Sequence, residues 1–595
     1  MDTRVKKLSQ LWQSESFDAV TRAEIKAIVD KGDERELTER FYKDLDFGTG
    51  GLRGIMGAGT NRMNVYTVRK ATQGLSNYMI EKLGEEARKR GAVVAYDARR
   101  NSPLFAREVA LNFAANGIKV YLFDRLCPTP ELSFAVRHLK AVAGVNVTAS
   151  HNPPEYNGYK AYWEDGAQVT PPHDNGIIDD VNRITDFADC KTMAYDDALN
   201  QGLLIEIGDD IDASYFKKVE SLALSRELVE KFNSDIKIVY TPLHGAGCYC
   251  VPEMLKRYGF ENVLVVPEQA EPDGNFPTIA APNPEVVSSM ALAIAMAKKE
   301  RANIVLGTDA DSDRLGVGVP LANGEYRLLT GNEIGVIFID YYLRKLKESG
   351  KLPANGVVIK TIVTTELQRK VASSYGVQCI DVLTGFKWIG RKMLEFEEAA
   401  ARGEASYTYL VGGEESYGFL AGDFVRDKDA VIAACLLSEA AVDCQSKGIS
   451  LLDRLDQIHM ENGLYIDELR NVFHEGKEGA EKILQIMASL RANSPVEIGG
   501  FKVVERWDVK SGEKFGPSGE KIGETGLPSS NVLLWFLENG CKITARPSGT
   551  EPKIKFYFSI CAEASHGKTL DDLKINARGL AEVVVGDFMD KVEQF

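Results

Sequence analysis

No stretch of about 18 uncharged apolar residues occurs anywhere in the sequence, so no membrane-spanning helix is expected. The opening "MDTRVKKLSQLWQSESFDAV" has no apolar core of signal-peptide length, which points to a cytoplasmic protein. Basic charge is also in short supply. Seventy-one Lys and Arg stand against 86 Asp and Glu, a formal net charge of −15. Nucleic acids and anionic membranes are held through surplus positive charge, so neither is expected as a partner. Any anionic substrate then has to meet a local basic pocket. The nine cysteines are scattered, and only Cys248 and Cys250 are close, as a CxC that is neither a zinc knuckle nor a redox CxxC. They read as mostly buried thiols of a reducing compartment. Three nucleotide or hydrolase signatures are missing too. There is no G-x-S-x-G elbow, "FGTGGLRG" lacks the third glycine of a dinucleotide fingerprint, and "SHGKT" has Ala562 where a P-loop needs its first Gly.

What is present is a repeat. At 595 residues the chain is too long for one core, since single domains run to about 100 to 200 residues. Three segments read alike: "AVVAYDARRNSPLFAREVALNFAANGIKVYLFD" (92–124), "IKIVYTPLHGAGCYCVPEMLKRYGFENVLVVPE" (236–268) and "GVVIKTIVTTELQRKVASSYGVQCIDVLTGFK" (356–387). Each is a β-rich run, a polar turn, an amphipathic helix ending on Gly117, Gly259 or Gly376, and a second β-rich run. This is a βαβ unit written three times, at a spacing far beyond solenoid periods. Downstream of each unit an apolar strand opens into a polar loop: "AVAGVNV" into "TASHNP", "ANIVLG" into "TDADSDR", "YTYLV" into "GGEESYG". Ligand sites of open α/β sheets lie beyond the carboxyl ends of strands, so chemistry is sought in these loops. The tail from about Pro495 reads as a few strands and a closing helix. The expected fold class is therefore α/β with four domains: 1–205, 206–322 and 323–460 as three related mixed α/β domains around a central cleft, and 461–595 as a smaller C-terminal α+β domain. The glycines of "DFGTGGLRGIMGAGTNRMN" read as a loop of the first domain that brings backbone close to a ligand.

Asp309, Asp311 and Asp313 in "GTDADSDRLGV" alternate, so in an extended or gently turning backbone three carboxylates face one cation. Oxygen ligands select a hard ion, Mg²⁺ before Ca²⁺ or Mn²⁺. An EF-hand is set aside because its sixth position is Arg314 and its twelfth Pro320. A solvated acidic turn is the plainer reading, disfavoured by the preceding apolar strand and the adjacent Arg314. Ser150 is the nucleophile candidate of "NVTASHNPPEYNGYK", in a loop stiffened by Pro153 and Pro154. His151, taken alone, reads as a positioning hydrogen-bonder. If Ser150 carries a phosphoryl group, the loop needs a cation for its oxygens, which the acidic triad can supply. In "ARPSGTEPKIKF", Arg546, Ser548, Gly549, Thr550 and Lys553 describe a phosphate cradle between two strands, whose bland alternative is a hairpin turn. In "VGGEESYGF", Glu414 and Ser416 stand two apart behind Gly412 and Gly413, a spacing that suits neighbouring sugar hydroxyls. Together these parts fit relocation of a phosphoryl group within one sugar.

With "TASHNP", "TDADSDRLGV", "GGEESYGF", "RPSGTEPK", "FGTGGLRG", "YDARRNS" and "TGFKWIG" in this order over nearly the whole chain, the sequence resembles the α-D-phosphohexomutase superfamily. Its "FGTGGLRGIMGAGTNRMN" is similar to the longer phosphoglucomutase branch, which includes phosphopentomutases and sugar-bisphosphate synthases. The resemblance implies three related α/β domains, a TATA-binding-protein-like fourth that closes as a lid, and interconversion of glucose 1-phosphate and glucose 6-phosphate, with mannose phosphates as further substrates. It implies Ser150 as the phosphoserine, Mg²⁺ on Asp309, Asp311, Asp313 and Ser150, and glucose 1,6-bisphosphate as intermediate and primer. Arg53, His151 and Lys160 match positions around the phosphoserine, with Lys160 or Lys387 for proton transfer. Arg314, Gly413, Glu414 and Ser416, and the loop of Arg546, Ser548, Gly549 and Thr550, match substrate contacts. The implied partner is a phosphorylated hexose, and the chain acts as a monomer or homodimer. A lysine in this role works best with its pKa drawn toward neutrality. Phosphopentomutase and glucose-1,6-bisphosphate synthase are the alternatives within the class, and a non-catalytic sugar-phosphate sensor is the alternative outside it.

Overall fold

The computed structural model describes residues 1–48, 50–473, 476–548, 553–564 and 567–594. The chain divides into two compact units. One comprises Met1–Leu329, Phe386–Ser406 and Tyr417–Asp443, and the other Thr330–Gly385, Tyr407–Ser416 and Cys444–Phe595. Among the described residues no helix is long and apolar enough to cross a membrane. All nine cysteines are free, and all but Cys248 are buried.

The first unit holds two sheets. The larger runs Gly51–Ile55, Tyr156–Trp163, Ala143–Val147, Ala92–Tyr96, Val120–Phe123, Leu204–Ile207. Its last four strands are parallel. "AVVAY" and "AGVNV" are apolar at nearly every position, because helices Ser102–Ala115 and Thr129–His138 pack against both strands. The second sheet repeats the plan, with Ile238–Thr241 between Val263–Val265 and Ile304–Thr308, all parallel, and Leu315–Pro320 returning antiparallel. In the second unit Gly356–Thr361 lies between Gln378–Val382 and Thr408–Glu414, again all parallel. The motif is thus built three times, and Gly117, Gly259 and Gly376 close its helices at φ of 72°, 101° and 77°. In each copy the strand that opens into a polar loop is a neighbour of the first strand, so the loop leaves the carboxyl edge of the sheet.

Two elements depart from the sequence reading. Part of the glycine-rich stretch is a strand, not a loop: Gly51–Ile55 pairs antiparallel with Tyr156–Trp163. A Cβ on Gly51, at φ 140°, would lie 1.7 Å from the Tyr159 carbonyl oxygen, so its glycine serves strand approach. The C-terminal domain also starts its sheet earlier than the composition shift at Pro495. Leu464–Phe473 is a ten-residue strand paired with Lys553–Ala562. It was hidden because "LYIDELRNVF" mixes charges into its alternation. Lys542–Pro547, Leu533–Leu537 and Phe501–Asp508 continue that sheet, and helix Leu570–Glu593 covers one face.

Candidate active site: a serine against three buried aspartates

Ser150 follows strand Ala143–Val147 in a left-handed conformation, φ 51°. A non-glycine residue there carries a cost of about 1 to 2 kcal/mol, so the surroundings must hold it. Its amide donates to Thr148 Oγ1 at 2.8 Å, and that hydroxyl donates to Asp97 Oδ2 at 2.7 Å. Arg99, fully buried, clamps the rest. Nη2 donates to the Ser150 and Asn152 carbonyls, both at 2.5 Å, and Nη1 to those of Pro153 and Tyr156 at 2.8 and 3.2 Å. Four carbonyls of residues 150–156 converge on one guanidinium, which holds the loop in place. Arg99→Met strands them and removes the counter-charge of Asp97. It is expected to lower kcat about 100-fold with little change in KM, and stability by about 3 to 5 kcal/mol. A kcat within threefold of the parent would contradict the clamp.

The Ser150 Oγ donates to Asp309 Oδ2 at 2.5 Å, and His151 Nδ1 lies 3.2 Å from the same hydroxyl. The three aspartates converge by a turn rather than by strand alternation: they lie beyond strand Ile304–Thr308, and Ser312 has φ 53°. Their ligand oxygens lie within 4.8 Å of one another, and all three are buried. Asp309 has both oxygens tied to protein donors, and Asp311 and Asp313 have one each. Asp309 Oδ1 accepts from the amides of Asp313 and Arg314 at 3.1 and 3.0 Å. Asp311 Oδ2 accepts from Thr129 Oγ1 at 2.6 Å and Lys160 Nζ at 2.7 Å. Asp313 Oδ2 accepts from Lys160 at 2.8 Å and has Lys428 Nζ at 3.2 Å. The other oxygens of Asp311 and Asp313 are buried without a hydrogen-bond partner. Orphaned carboxylate oxygens are costly, and two of them, with the Asp309 carboxylate and a hydroxyl alongside, fit a hard divalent cation.

Lys160 reaches the triad because its strand, Tyr156–Trp163, returns antiparallel and sets it opposite Asn146. Burial alone would lower its pKa, but Asp311 and Asp313 outweigh burial and raise it. The expectation of a lysine drawn toward neutrality is therefore not met at Lys160. Burial raises Asp309 well above the usual carboxylate range, reinforced by Asp311 and Asp313. At Asp313 burial is overcome by Lys160, Lys428 and Arg314, which hold it below that range. Burial, then Arg314 and Arg53, push His151 well below its ordinary value. Arg53 donates to Asn152 Oδ1 at 3.0 Å, and its Coulombic neighbours are the triad and Arg314. It is solvent-exposed. Arg314 Nη1 donates to Glu285 Oε1 at 2.6 Å. Lys387 stands elsewhere in this unit, on helix Phe386–Ala401, its Nζ 3.8 Å from Asp174 and over the Trp388 ring, with burial lowering its pKa. The ammonium groups against the triad are those of Lys160 and Lys428.

The second unit holds the remaining candidates. Gly413 and Glu414 end strand Thr408–Glu414; Glu414 Oε1 accepts from the Gly385 amide at 2.9 Å. Ser416 is half-buried two residues on. Arg546 lies on strand Lys542–Pro547, and the Ser548 amide donates to the Lys553 carbonyl at 2.8 Å. Gly549 and Thr550 lie outside the described residues. Burial, then Glu415, raise the Tyr557 phenol above its ordinary value, against Arg546, which bonds it and lowers it. Lys542 Nζ donates to the carbonyls of Ile362 and Thr364 and to Glu366 Oε1 at 2.9, 3.1 and 2.6 Å, which ties the Arg546 strand to the end of Gly356–Thr361.

Three family descriptions match in succession: phosphoglucomutase/phosphomannomutase alpha/beta/alpha domain I over residues 44–187, domain II over 213–321 and domain III over 330–458. The chain belongs to the phosphoglucomutase/phosphomannomutase family. A phosphoglucomutase of Staphylococcus epidermidis is 35% identical over 555 residues, covering 92% of this chain and 96% of the relative. A human phosphopentomutase is 33% identical over 575 residues, covering 94% and 92%. Among solved structures, parafusin, a phosphoglucomutase from Paramecium, shares the fold with a TM-score of 0.64 at 17% identity, over 91% of this chain and 95% of that one. Within the phosphoglucomutase/phosphomannomutase fold, Thr129, Lys428, Arg99 and Tyr557 went unnoticed in the sequence. "RDKDA", with an ammonium between two acids ahead of a buried helix, was the one signal that pointed to Lys428.

Proposed function

We propose that this chain is a cytoplasmic phosphoglucomutase, with the four domains bounded at 205, 322 and 460. It interconverts glucose 1-phosphate and glucose 6-phosphate through glucose 1,6-bisphosphate. The observation that carries the reading is the Ser150 hydroxyl, 2.5 Å from Asp309 within a triad whose other two members each keep an unpartnered oxygen. Phosphorylated Ser150 gives its phosphoryl group to one sugar hydroxyl, and the P–O bond to Oγ breaks as the bond to the sugar oxygen forms. The sugar proton passes to a base. After the bisphosphate turns over, Oγ takes the other phosphoryl group and the proton returns. Lys160, its charge held by Asp311 and Asp313, stabilises negative charge on the group in transit, while Lys428 handles the proton. Asp309, Asp311, Asp313 and Ser150 would hold Mg²⁺, which would supply positive charge to the phosphoryl oxygens. Arg53, His151 and Arg314 lie around the same serine and triad, and Glu414 and Ser416 suit sugar hydroxyls. Arg546 and its loop suit the phosphate that stays. Arg546→Ala is expected to raise KM about 10- to 100-fold, the worth of a charge-assisted hydrogen bond; unchanged saturation kinetics would remove the cradle.

The name of the human relative supports a second reading, a phosphopentomutase. Rates on glucose 1-phosphate, mannose 1-phosphate and ribose 1-phosphate, primed with glucose 1,6-bisphosphate, separate the two. Glucose 1-phosphate is expected to lead by about tenfold or more in kcat/KM. A lead for ribose 1-phosphate gives the second reading, formation of bisphosphate from a separate phosphoryl donor gives a synthase, and no turnover on any sugar gives a sensor.

A further inference from the structure

The C-terminal sheet ends on strand Leu464–Phe473. Its inner edge pairs along the whole strand with Lys553–Ala562, and among the described residues no strand meets its outer edge. Ten residues is long for a strand left at an edge, and an open edge is a template for pairing. Leu469 is 43% exposed on it and Phe473 61%.

The strand is a chemical palindrome about Leu469. Moving outward, Glu468 mirrors Arg470, Asp467 mirrors Asn471, Ile466 mirrors Val472, and Tyr465 mirrors Phe473. When two antiparallel strands share a twofold axis at one residue, mirrored positions face each other across the pair. Leu469 then meets Leu469, each Glu468 meets an Arg470, each acid–amide pair can hydrogen-bond, and aliphatic meets aliphatic. Glu468 and Arg470 already share one face, with Arg470 Nη2 2.6 Å from Glu468 Oε2. A slip by one residue sets Glu468 against Leu469 and Ile466 against Asn471. An edge guarded against association presents like charges to its own copy, which repel when opposed. Here every charge at the centre meets its opposite.

We propose that this edge is a homodimer interface. Two copies pair antiparallel through residues 466–472 about a twofold axis at Leu469, joining their C-terminal sheets. The contact is isologous, so it closes at two copies.

Sedimentation of the full chain between about 1 and 100 µM tests it, the range in which a modest interface associates. A species of twice 65.5 kDa is expected to grow with concentration. Arg470→Glu opposes two acids on each side of the axis, and Leu469→Lys opposes two ammonium groups on it. Each is expected to weaken the dimer about tenfold or more. Glu468→Arg combined with Arg470→Glu restores opposite charges and is expected to return the affinity to within about threefold of the parent. In the unmodified chain, amide exchange over 466–472 is expected to slow as concentration rises. A 65.5 kDa species throughout, a dimer indifferent to both single variants, or exchange that ignores concentration overturns the proposal. So does a chain that stays monomeric alone and pairs only with a strand of another protein.

Discussion

Ser150→Ala is expected to lower mutase turnover by about four orders of magnitude or more, as for removal of a group on which the covalent step depends. The change deletes the one hydroxyl that faces Asp309 and leaves the scaffold in place, since Thr148, Asp97 and Arg99 hold the loop through its backbone. Alanine keeps the left-handed backbone at a cost close to that of serine. The folded protein should therefore still bind glucose 6-phosphate, and calorimetry should find an affinity within about tenfold of the parent. Intact-mass measurement adds a second readout. The parent is expected to show a fraction heavier by one phosphoryl group that maps to the Ser150 peptide, and the variant none. Residual turnover above about one per cent would mean that phosphate passes between sugar and solvent, or sugar and sugar, without this oxygen.

That Ser150 and the aspartates were legible in the sequence, while Lys428 and Thr129 were not, has a physical reason. The triad is local: three carboxylates within five residues, ended by Arg314, converge whatever the rest of the chain does. The three-fold βαβ plan was legible for the same reason, because helix and strand periods and the closing glycines are written within about thirty residues each. Thr129 reaches Asp311 across 182 positions of sequence. It looks like any residue at the start of a helix. Lys428 becomes a triad neighbour only because its segment packs back against the loop after Ile304–Thr308. The strand Gly51–Ile55 was masked by glycines whose purpose, approach of Tyr159, belongs to the partner strand. Lys160 shows the limit on the electrostatic side. Its place near the site was implied by the family resemblance, but the sign of its shift depended on two carboxylates from another sheet.

Asp311→Asn is the other large effect. Asp311 does two things at once: Oδ2 takes Thr129 and Lys160, and Oδ1 is left for a cation. An amide can keep the Thr129 bond with its oxygen, but it then turns an NH₂ toward the cation, and Lys160 loses one of its two buried counter-charges. Loss of several kcal/mol of charge stabilisation corresponds to about a thousandfold in kcat. A half-broken buried ion pair should cost about 3 kcal/mol or more of stability. Two measurements keep these apart. Thermal unfolding reads the second cost. Binding of Mn²⁺ to the full chain, followed by its paramagnetic resonance, reads the first, and the variant is expected to need at least about a hundredfold more metal for half-occupancy. Chelation of the parent should abolish turnover while leaving Ser150→Ala and parent equally folded, and Mg²⁺ should restore it. Should the variant bind Mn²⁺ as tightly as the parent and lose only stability, Asp311 is a counter-ion for Lys160 and Thr129, and the cation site must be built from Asp309 and Asp313 without it.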